Sequence, residues 1–591
     1  MLSGNHSQGI ALDGAGTSAN FVQGNFIGTD PTGFAAMGNR YAGVELFNGA
    51  SSNVIGGTSA AARNVIAGNA SQGVAIDGIG SVGNRVQGNY IGVDVTGGTP
   101  LANAYSGVEI FAGGQSNTIG GSVAARNVLS GNISQGVEID GVGTSGNVVQ
   151  GNLIGLDASG ATAIPNGAGV GLFSGAESNL IGGTAPGARN VISGNGCQGV
   201  VIADSDTGGN IVQGNYLGLN LAGTATAPNG CSGVEIFGGA HSNVVGGDIG
   251  ARNIISGNST YGVLIADTNT DANVVQGNTI GLDPTGAITL GNSFQGVVVF
   301  NAARNNQIGG IGDGAGNLIA SNGSDGVDLY DDATTNNSIR GNSIYGNLGS
   351  GIGEFNGSEK SQAAPVLDSA TVDTNTIVTG SLTSSSNATF RIEFFANATG
   401  AASAQGQTFL GAADVTTTNG GTATFSAGLA STGPPGQLIT ATATDPAGNT
   451  SPFSGSVTLT MTDSVGDGIA DLWRKTYFAG TGTTTNAQSC ATCDPDGDGF
   501  TNLQEFSAGT DPTKPSSAFR IVAIQQVSGG ETIKFQTVTG KIYRIETKDD
   551  LALPNWMLLV DQIVGIGGTN QITDPGATGL SRRFYHAVVL P

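Results

Sequence analysis

Residues 73–135 read GVAIDGIGSVGNRVQGNYIGVDVTGGTPLANAYSGVEIFAGGQSNTIGGSVAARNVLSGNISQ, and this stretch decides the fold. Its tetrapeptide VQGN begins at Val86 and recurs at intervals of 63 or 64 residues between Val22 and Val275. A shorter period lies inside this one, because segments of the form Gly–apolar–x–apolar recur at intervals that alternate between 33–34 and 29–30 residues. One 63-residue period is therefore two coils, one long and one short.

Each coil is predicted to contain three short strands. Examples are GVAID, NRVQG and YIGVD in one coil, and GVEIF, NTIGG and NVLSG in the next. Apolar residues alternate within these segments, and Gly, Asn, Ser and Thr mark the bends. Strands this short bury a face only when coils stack on one another, and frequent glycine opposes helices. The sequence therefore predicts a mainly β chain that begins with a parallel β-helix of about eleven coils over residues 1–358.

Composition and charge exclude several classes of protein. The chain has 591 residues, 102 of them glycine, with a formal charge of −23. A hydrophobic content of 38% is too high for a disordered chain, and no apolar run is long enough for a transmembrane helix. Residues 1–355 hold eight Arg and no Lys against 23 carboxylates. Nucleic acid is excluded as a partner, and anionic polymers such as pectin are expected to be repelled unless a metal intervenes.

Two segments carry a resemblance to a known family. Residues 52–69 (SNVIGGTSAAARNVIAGN) and 86–94 (VQGNYIGVD) resemble the right-handed β-helix repeats of bacterial secreted and surface proteins in the pectate-lyase-like superfamily. The resemblance covers about 1–355 and implies a right-handed solenoid outside the cell. It does not imply one activity, because the superfamily includes lyases, hydrolases, epimerases, adhesins and tailspikes.

The chain begins in the middle of a repeat, since Met1–Asn5 align with Val128–Asn132. No signal-peptide pattern precedes this point. We therefore expect further coils and a signal peptide upstream of Met1; the alternative is a short cap built by residues 1–8.

The repeat stops near Lys360, and three further modules are predicted. Residues 361–460 read as an antiparallel β-sandwich, in which DPAGNTSPFS at 445–454 resembles the closing segment of bacterial immunoglobulin-like modules. The resemblance implies a spacer or a glycan contact. Residues 461–515 hold EF-hand-like calcium-binding repeats, and 516–591 form a small C-terminal β-domain.

The strongest chemical motif is a predicted calcium loop of the form D-x-D-x-D-G-x-x-N-x-x-E. Its residues are Asp494, Asp496, Asp498, Gly499, Phe500, Asn502 and Glu505. Calcium prefers six to eight oxygen ligands, and this spacing supplies them. The three aspartates and Glu505 would give carboxylates, Phe500 its backbone carbonyl, and Asn502 a direct or water-bridged ligand. The alternative is an acidic loop that holds no metal.

A second, weaker copy of the loop lies upstream. Its ligands would be Asp463, Asp467, Ile469 and Asp471. Val465 and Arg474 stand where two further carboxylates are expected, so a lower calcium affinity is predicted. The pair of loops resembles thrombospondin type 3 or dockerin-like repeats, which implies a structural role for the metal.

Four cysteines fall into two pairs. Cys197 and Cys231 hold equivalent positions one long coil apart, which predicts Cα atoms about 4.8 Å apart, within disulfide range. A disulfide between coils and a buried thiol pair are both compatible with this spacing. Cys490 and Cys493 form C-x-x-C, for which a small local disulfide is predicted.

An active site should interrupt the repeat, and two places do so. Glu109 and Glu138 occupy the same outward position on adjacent coils, about 5 Å apart as in a retaining glycosidase, with Asp140 beside them. Glu45 and Glu235 occupy that position without such a partner, so a solvated acidic face is the preferred interpretation and no catalytic residue is assigned. The second place is the last coil, whose acidic residues are interpreted as a polar cap, the alternative being a metal or sugar site.

Two further side-chain series follow the 63-residue repeat. The arginines of the recurring Arg-Asn pairs are expected to be structurally paired or solvated. A series of phenylalanines recurs at every second coil, about 9.6 Å apart. If exposed, these rings would stack on a polymer with a disaccharide repeat; alternatively, the long loops cover them. The phenylalanines are Phe47, Phe111, Phe173, Phe237 and Phe300.

These observations favour a secreted or cell-surface β-solenoid protein with structural calcium, which acts in adhesion or extracellular polysaccharide binding without catalysis. The first alternative is a carbohydrate-active enzyme, namely a polysaccharide lyase, a glycoside hydrolase or an epimerase. The second is a purely structural surface rod.

Overall fold

A computed structural model describes residues 1–401 and 403–590, and the chain divides into two compact units. The first unit comprises 1–370 and 377–459, and the second comprises 371–376 and 460–591.

The first unit contains three long parallel sheets of twelve, eleven and eleven strands, named here the first, second and third sheets. Successive strands of the chain belong to the three sheets in turn, so each coil gives one strand to each sheet. The prediction of a parallel β-helix is confirmed. The first sheet has one strand more than the eleven Gly–apolar–x–apolar segments, because Ile352–Phe355 adds a twelfth.

The strand bounds follow the predicted segments closely. In the first sheet they are Ile10–Asp13, Val44–Phe47, Val74–Asp77, Val108–Phe111, Gln135–Asp140, Ala168–Phe173, Val200–Ala203, Val234–Phe237, Val263–Ala266, Val297–Phe300, Val327–Tyr330 and Ile352–Phe355. In the second sheet they are Phe21–Val22, Val54–Gly56, Arg85–Gln87, Thr118–Gly120, Val148–Gln150, Leu180–Gly182, Ile211–Gln213, Val244–Gly246, Val274–Gln276, Gln307–Gly309 and Ser338–Arg340. In the third sheet they are Phe26–Ile27, Val65–Ile66, Tyr90–Ile91, Val128–Leu129, Leu153–Ile154, Val191–Ile192, Tyr216–Leu217, Ile254–Ile255, Thr279–Ile280, Leu318–Ala320 and Ser343–Tyr345. Short 3₁₀ turns cover Ala60–Ala62, Val123–Ala125 and Ser358–Ser361.

The solenoid core is one continuous apolar column. In the ten inner strands of the first sheet the inward residues are valine, isoleucine or leucine, such as Val108 and Ile110, and they are fully buried. In the two end strands, Ile10 and Leu12 are half-buried and Glu354 takes an inward position. Strand register keeps like on like, since Val108 pairs with Val137 and Ile110 with Ile139. The outward residues of the same strands therefore also form straight columns, which places the candidate site.

Three ladders of buried asparagines run along the bends of the solenoid. In each, the side-chain Nδ2 of one asparagine donates to the Oδ1 of the asparagine in the next coil. At most rungs the backbone N–H donates to the same oxygen, as Asn127 does to Asn152, with distances of 3.3 Å from the backbone and 2.9 Å from Nδ2. This arrangement satisfies polar groups that would otherwise be buried without partners. The first ladder runs through Asn5, Asn39, Asn69, Asn103, Asn132, Asn166, Asn195, Asn229, Asn258, Asn292, Asn322 and Asn347. The second runs through Asn20, Asn53, Asn84, Asn117, Asn147, Asn179, Asn210, Asn243, Asn273, Asn306 and Asn337, and the third through Asn25, Asn64, Asn89, Asn127, Asn152, Asn190, Asn215, Asn253, Asn278, Asn317 and Asn342.

A seven-stranded sheet follows the solenoid. It curls on itself, because the rings of Phe394 and Phe425 meet edge to face at 5.9 Å although their strands are far apart in the strand order. In spatial order the strands are Thr408–Thr416, Thr389–Asn397, Leu438–Thr444, Val457–Met461, Val366–Val372, Thr376–Thr383 and Thr422–Leu429.

Side chains of this sheet and its loops cover the last coil of the solenoid. The Oε1 of Gln405 accepts from the backbone N–H and the Nδ2 of Asn347, both at 3.2 Å, so it continues the first asparagine ladder. A Glu393 oxygen accepts from the N–H of Gly341 at 2.8 Å, and the hydroxyl of Thr450 accepts from the N–H of Ile339 at 3.0 Å. The exposed strand edge that a solenoid must protect is thus capped by the module that the sequence suggested as a spacer.

The second unit contains two short helices, α1 (Asp471–Phe478) and α2 (Asn502–Ala508). Two three-stranded antiparallel sheets follow, and a 3₁₀ turn covers Pro575–Ala577. In the part of the chain that the structure describes, neither helix has the length or apolarity needed to cross a membrane. The strands are Ile521–Val527, Gly530–Gln536 and Thr569–Asp574 in one sheet, and Met557–Val564, Ile542–Lys548 and Phe584–Leu590 in the other.

Candidate functional site

The predicted calcium loop at 494–505 gathers its three aspartates around one point, and Glu505 is not part of that group. Asp494, Asp496 and Asp498 each offer an oxygen within 4.8 Å of the other two. Asp494 also shapes the loop, because its two oxygens accept from the N–H groups of Gly497 and Gly499 at 2.9 and 3.0 Å. Gly499 has a φ of +96°, which a residue with a side chain would adopt only with strain.

Helix α2 brings the two remaining side chains to the loop. The Thr501 hydroxyl caps its first turn by accepting from the N–H of Gln504. The Nδ2 of Asn502 donates to the carbonyls of Gln488 and Cys490, each at 2.7 Å, which fixes the opposite direction of its Oδ1. Asn502 and Glu505 are 0% and 1% exposed, so their free oxygens are shielded from solvent.

Four oxygens of this loop are buried without a hydrogen-bond partner among the described residues. They belong to Asp496, Asp498, Asn502 and Glu505. A buried acceptor left unpaired is unfavourable by about 1–3 kcal/mol. Burial, followed by repulsion from Asp496, raises the pKa of Glu505 to about 7. A converging set of hard oxygens is the donor chemistry that calcium prefers, so these residues fit that ion.

The upstream loop has the same backbone design but a different centre. Asp463 accepts from the N–H groups of Gly466 and Gly468, both at 2.8 Å, as Asp494 does in its own loop. The Arg474 side chain is 1% exposed and fills the space between the other oxygens. The Arg474 guanidinium thus contacts most of the expected ligands of this loop. Its contacts are Asp467 at 2.6 Å, the Ile469 carbonyl at 3.4 Å and Asp471 at 3.8 Å. Calcium binding by the loop stays a prediction.

The three candidate catalytic carboxylates lie together on the outward face of the first sheet. Glu109 and Glu138 are direct register partners, and Asp140 pairs with Phe111 on the same face. Burial is the main cause that raises the pKa of Glu109 to about 7 and that raises the pKa of Glu138. Gln72 donates to Glu109, and the Ser106 hydroxyl donates to Glu138.

The amide contact to Glu109 belongs to the repeat. Gln8 donates to Glu45, two coils before Glu109, and Gln198 donates to Glu235 at 2.8 Å, four coils after it. What is peculiar to Glu109 is the second carboxylate directly beside it.

The five phenylalanines of the ladder are all half-buried, neither covered completely by the long loops nor fully exposed. Phe111 lies between Asp77 and Asp140 in register, and Phe237 lies beside Ala203. The rings are therefore separated by small or acidic residues on intervening coils. The Phe173 ring lies over Gly171, where an added Cβ would come within 2.3 Å of it.

The acidic last coil is divided between two environments. Asp328 is 1% exposed and accepts from the hydroxyl of Tyr330 at 3.1 Å, and burial raises its pKa. Tyr330 stacks on Phe355 with ring centroids 4.8 Å apart. Arg340 instead contacts Glu393 at 3.4 Å and belongs to the cap over the solenoid.

Both cysteine pairs are joined as disulfides in the structure. Cys197 and Cys231 have Cα atoms 4.5 Å apart on stacked coils, and Cys490 and Cys493 have Cα atoms 5.1 Å apart just before the calcium loop.

Comparison of the chain with protein-family models and with curated proteins found no match.

Proposed function

We propose that this chain is a secreted or cell-surface protein whose solenoid binds extracellular polysaccharide without catalysis, and whose second unit is stabilised by calcium. The outward face of the first sheet carries the proposal. It sets half-buried aromatic rings at every second coil, about 9.6 Å apart, next to paired carboxylates and amides. Rings stack on the apolar faces of sugars, while carboxylates and amides bond to their hydroxyls.

The calcium part of the proposal is supported by the four buried oxygens of loop 494–505 that accept no hydrogen bond from the described residues. Extracellular calcium modules have dissociation constants of about 10⁻⁴–10⁻³ M, so such a site fills outside the cell and empties in the cytosol. Asp494, Asp496, Asp498, Asn502 and Glu505 would hold the ion by side chains, and Phe500 by its carbonyl. The bound ion would neutralise their charge and fix α2 against the loop.

The test is incubation of the full chain with neutral and acidic polysaccharides, with and without calcium, measuring both retained polymer and released oligosaccharide. Retention without products is expected. The double variant Phe111→Ala/Phe237→Ala should lose retention of a neutral polymer. Phe34→Ala is the matched control, because Phe34 is 58% exposed and lies outside the ladder. Failure to retain any polymer would refute the proposal and favour the structural rod.

One observation favours a second candidate, a carbohydrate-active enzyme. Glu109, with a pKa of about 7, would be protonated in part of the molecules at neutral pH and could act as an acid beside its register partner Glu138. Released oligosaccharide that disappears in Glu109→Gln and in Glu138→Gln would support this candidate. Glu235→Gln is the control, because Glu235 repeats the amide contact without the adjacent carboxylate.

A further inference from the structure

Four arginines line one side of the third sheet. They are Arg63, Arg126, Arg189 and Arg252. Each is 63 residues from the next, which is two coils, so they recur about every 9.6 Å over roughly 29 Å of the solenoid.

These arginines lie in a groove. A cavity of about 560 Å³ is lined by Arg126, Arg189 and Arg252. A smaller cavity of about 160 Å³ is lined by Arg63 and again by Arg126. Val123 also lines both cavities, so the two are adjacent, and together they are called the groove here.

The guanidinium groups are held in place but not neutralised. Each Nε donates to a glycine carbonyl of the next coil, at distances between 3.1 and 3.4 Å. Arg63 also lies over the ring of Tyr90 at 4.0 Å, and Arg189 over Tyr216 at 4.1 Å. Throughout residues 1–401 and 403–590, no carboxylate lies within ion-pair distance of these four arginines, and their terminal nitrogens donate to no protein acceptor.

Carboxylates of neighbouring loops accept hydrogen bonds within their own turns. Asp94 and Asp157 accept from backbone N–H groups of the long loops, which contributes to lowering their pKa. Asp248, at one end of the groove, accepts from the N–H of Gly250 at 3.0 Å. Half-burial lowers the pKa of Arg126, because a charge partly removed from water without a counter-ion is unfavourable. Neither cavity has an aspartate or a glutamate among the described residues that line it.

We propose that this groove binds a linear polyanionic glycan that carries one carboxylate or sulfate in each disaccharide. Planar guanidinium groups with free terminal N–H groups bind such oxyanions through two parallel hydrogen bonds. The spacing of about 9.6 Å is that of alternate coils and suits an acidic group on alternate sugars of an extended chain. Duplex nucleic acid carries one charge per about 1.7 Å, which is a much closer charge spacing than that of these arginines.

The acidity of the chain does not prevent such binding. At physiological ionic strength, charges more than about 8 Å away are largely screened, so the groove acts mainly through its own arginines. The inference rests on the proposed function in one respect, namely that the partner is an extracellular glycan. The groove itself is a different surface from the aromatic face of the first sheet.

The test measures the affinity of the full chain for hyaluronan, which has one carboxylate in each disaccharide, with dextran as the neutral polymer. Arg126→Gln/Arg189→Gln is expected to weaken hyaluronan binding on the order of 100-fold, about tenfold for each charge-assisted contact. The control Arg85→Gln/Arg304→Gln removes the same charge from two exposed arginines outside the groove and should change affinity less than about twofold. If the groove double variant fails to fold, Arg252→Gln replaces it, with about a tenfold loss expected.

Two results would overturn the inference: hyaluronan retained no better than dextran, or equal effects of the two double variants. The two proposals can also be separated. If retention of a neutral polymer requires Phe111 and Phe237 while the groove variants leave hyaluronan binding unchanged, the groove is refuted and the proposed function is supported. Absence of retention for every polymer would overturn both.

Discussion

Replacing Asp498 with asparagine should abolish most of the stabilisation of the second unit by calcium without lowering its stability in the absence of metal. With dissociation constants of about 10⁻⁴–10⁻³ M, about 10 mM calcium should raise the free energy of unfolding of the wild type by roughly 1.4–2.7 kcal/mol. Asp498→Asn removes one of the crowded carboxylates, whose buried Oδ2 accepts no hydrogen bond and lies 3.9 Å from a terminal nitrogen of Arg520. Calcium should then add less than about 0.5 kcal/mol, because a charged ligand is lost. Without calcium the variant should be as stable as the wild type or more stable.

The measurement is thermal unfolding followed by circular dichroism, in metal-free buffer and in calcium, for wild type and variant. Asp467→Asn is the matched control, since Asp467 holds the equivalent position in the upstream loop but binds Arg474 at 2.6 Å. That variant should be destabilised alike with and without calcium and should keep most of the calcium increment. Equal calcium increments in the wild type and Asp498→Asn would refute the assignment of loop 494–505.

Three further predictions concern the first unit. Asn152→Ala removes five hydrogen bonds from a buried ladder. Chemical denaturation should show that the free energy of unfolding falls by about 3–5 kcal/mol, and a decrease below about 1 kcal/mol would contradict the structural role of the ladder. Burial raises the pKa of Glu354 from 4.5 to about 9, so stability should fall as pH rises across that interval, and Glu354→Gln should flatten the fall in melting temperature between pH 5 and 9. Oxidised Cys197 and Cys231 should make the intact chain lighter by two hydrogens, and serine at both positions should destabilise it by about 3–4 kcal/mol for a closed segment of 34 residues; free thiols in the native chain would contradict this.

The repeat could be predicted from sequence because the same strand pattern recurs in successive coils. The segment GVEIF gives the strand Val108–Phe111, and its period of two assigns Val108 and Ile110 to the core. The register of adjacent coils follows from the same repeat, so the neighbouring positions of Glu109 and Glu138 were also predictable.

The cap could not be predicted, because its contacts join the repeat to a part of the chain that does not repeat. Gln405 continues the ladder from Asn347 across 58 residues, and nothing in the residues around Gln405 indicates this partner. Arg474 shows a related difficulty. By position it is a missing calcium ligand, whereas in space it is a cation among the remaining ligands.

The two-coil period has a consequence for how this chain can change in evolution. A 63-residue block begins and ends at equivalent points of the solenoid, so gaining or losing one block would join coil to coil without a new interface. The hydrogen bonds to the cap described above come from the last coil, and a change in earlier blocks would not disturb them. The solenoid can thus lengthen or shorten in steps of about 10 Å by recombination between blocks.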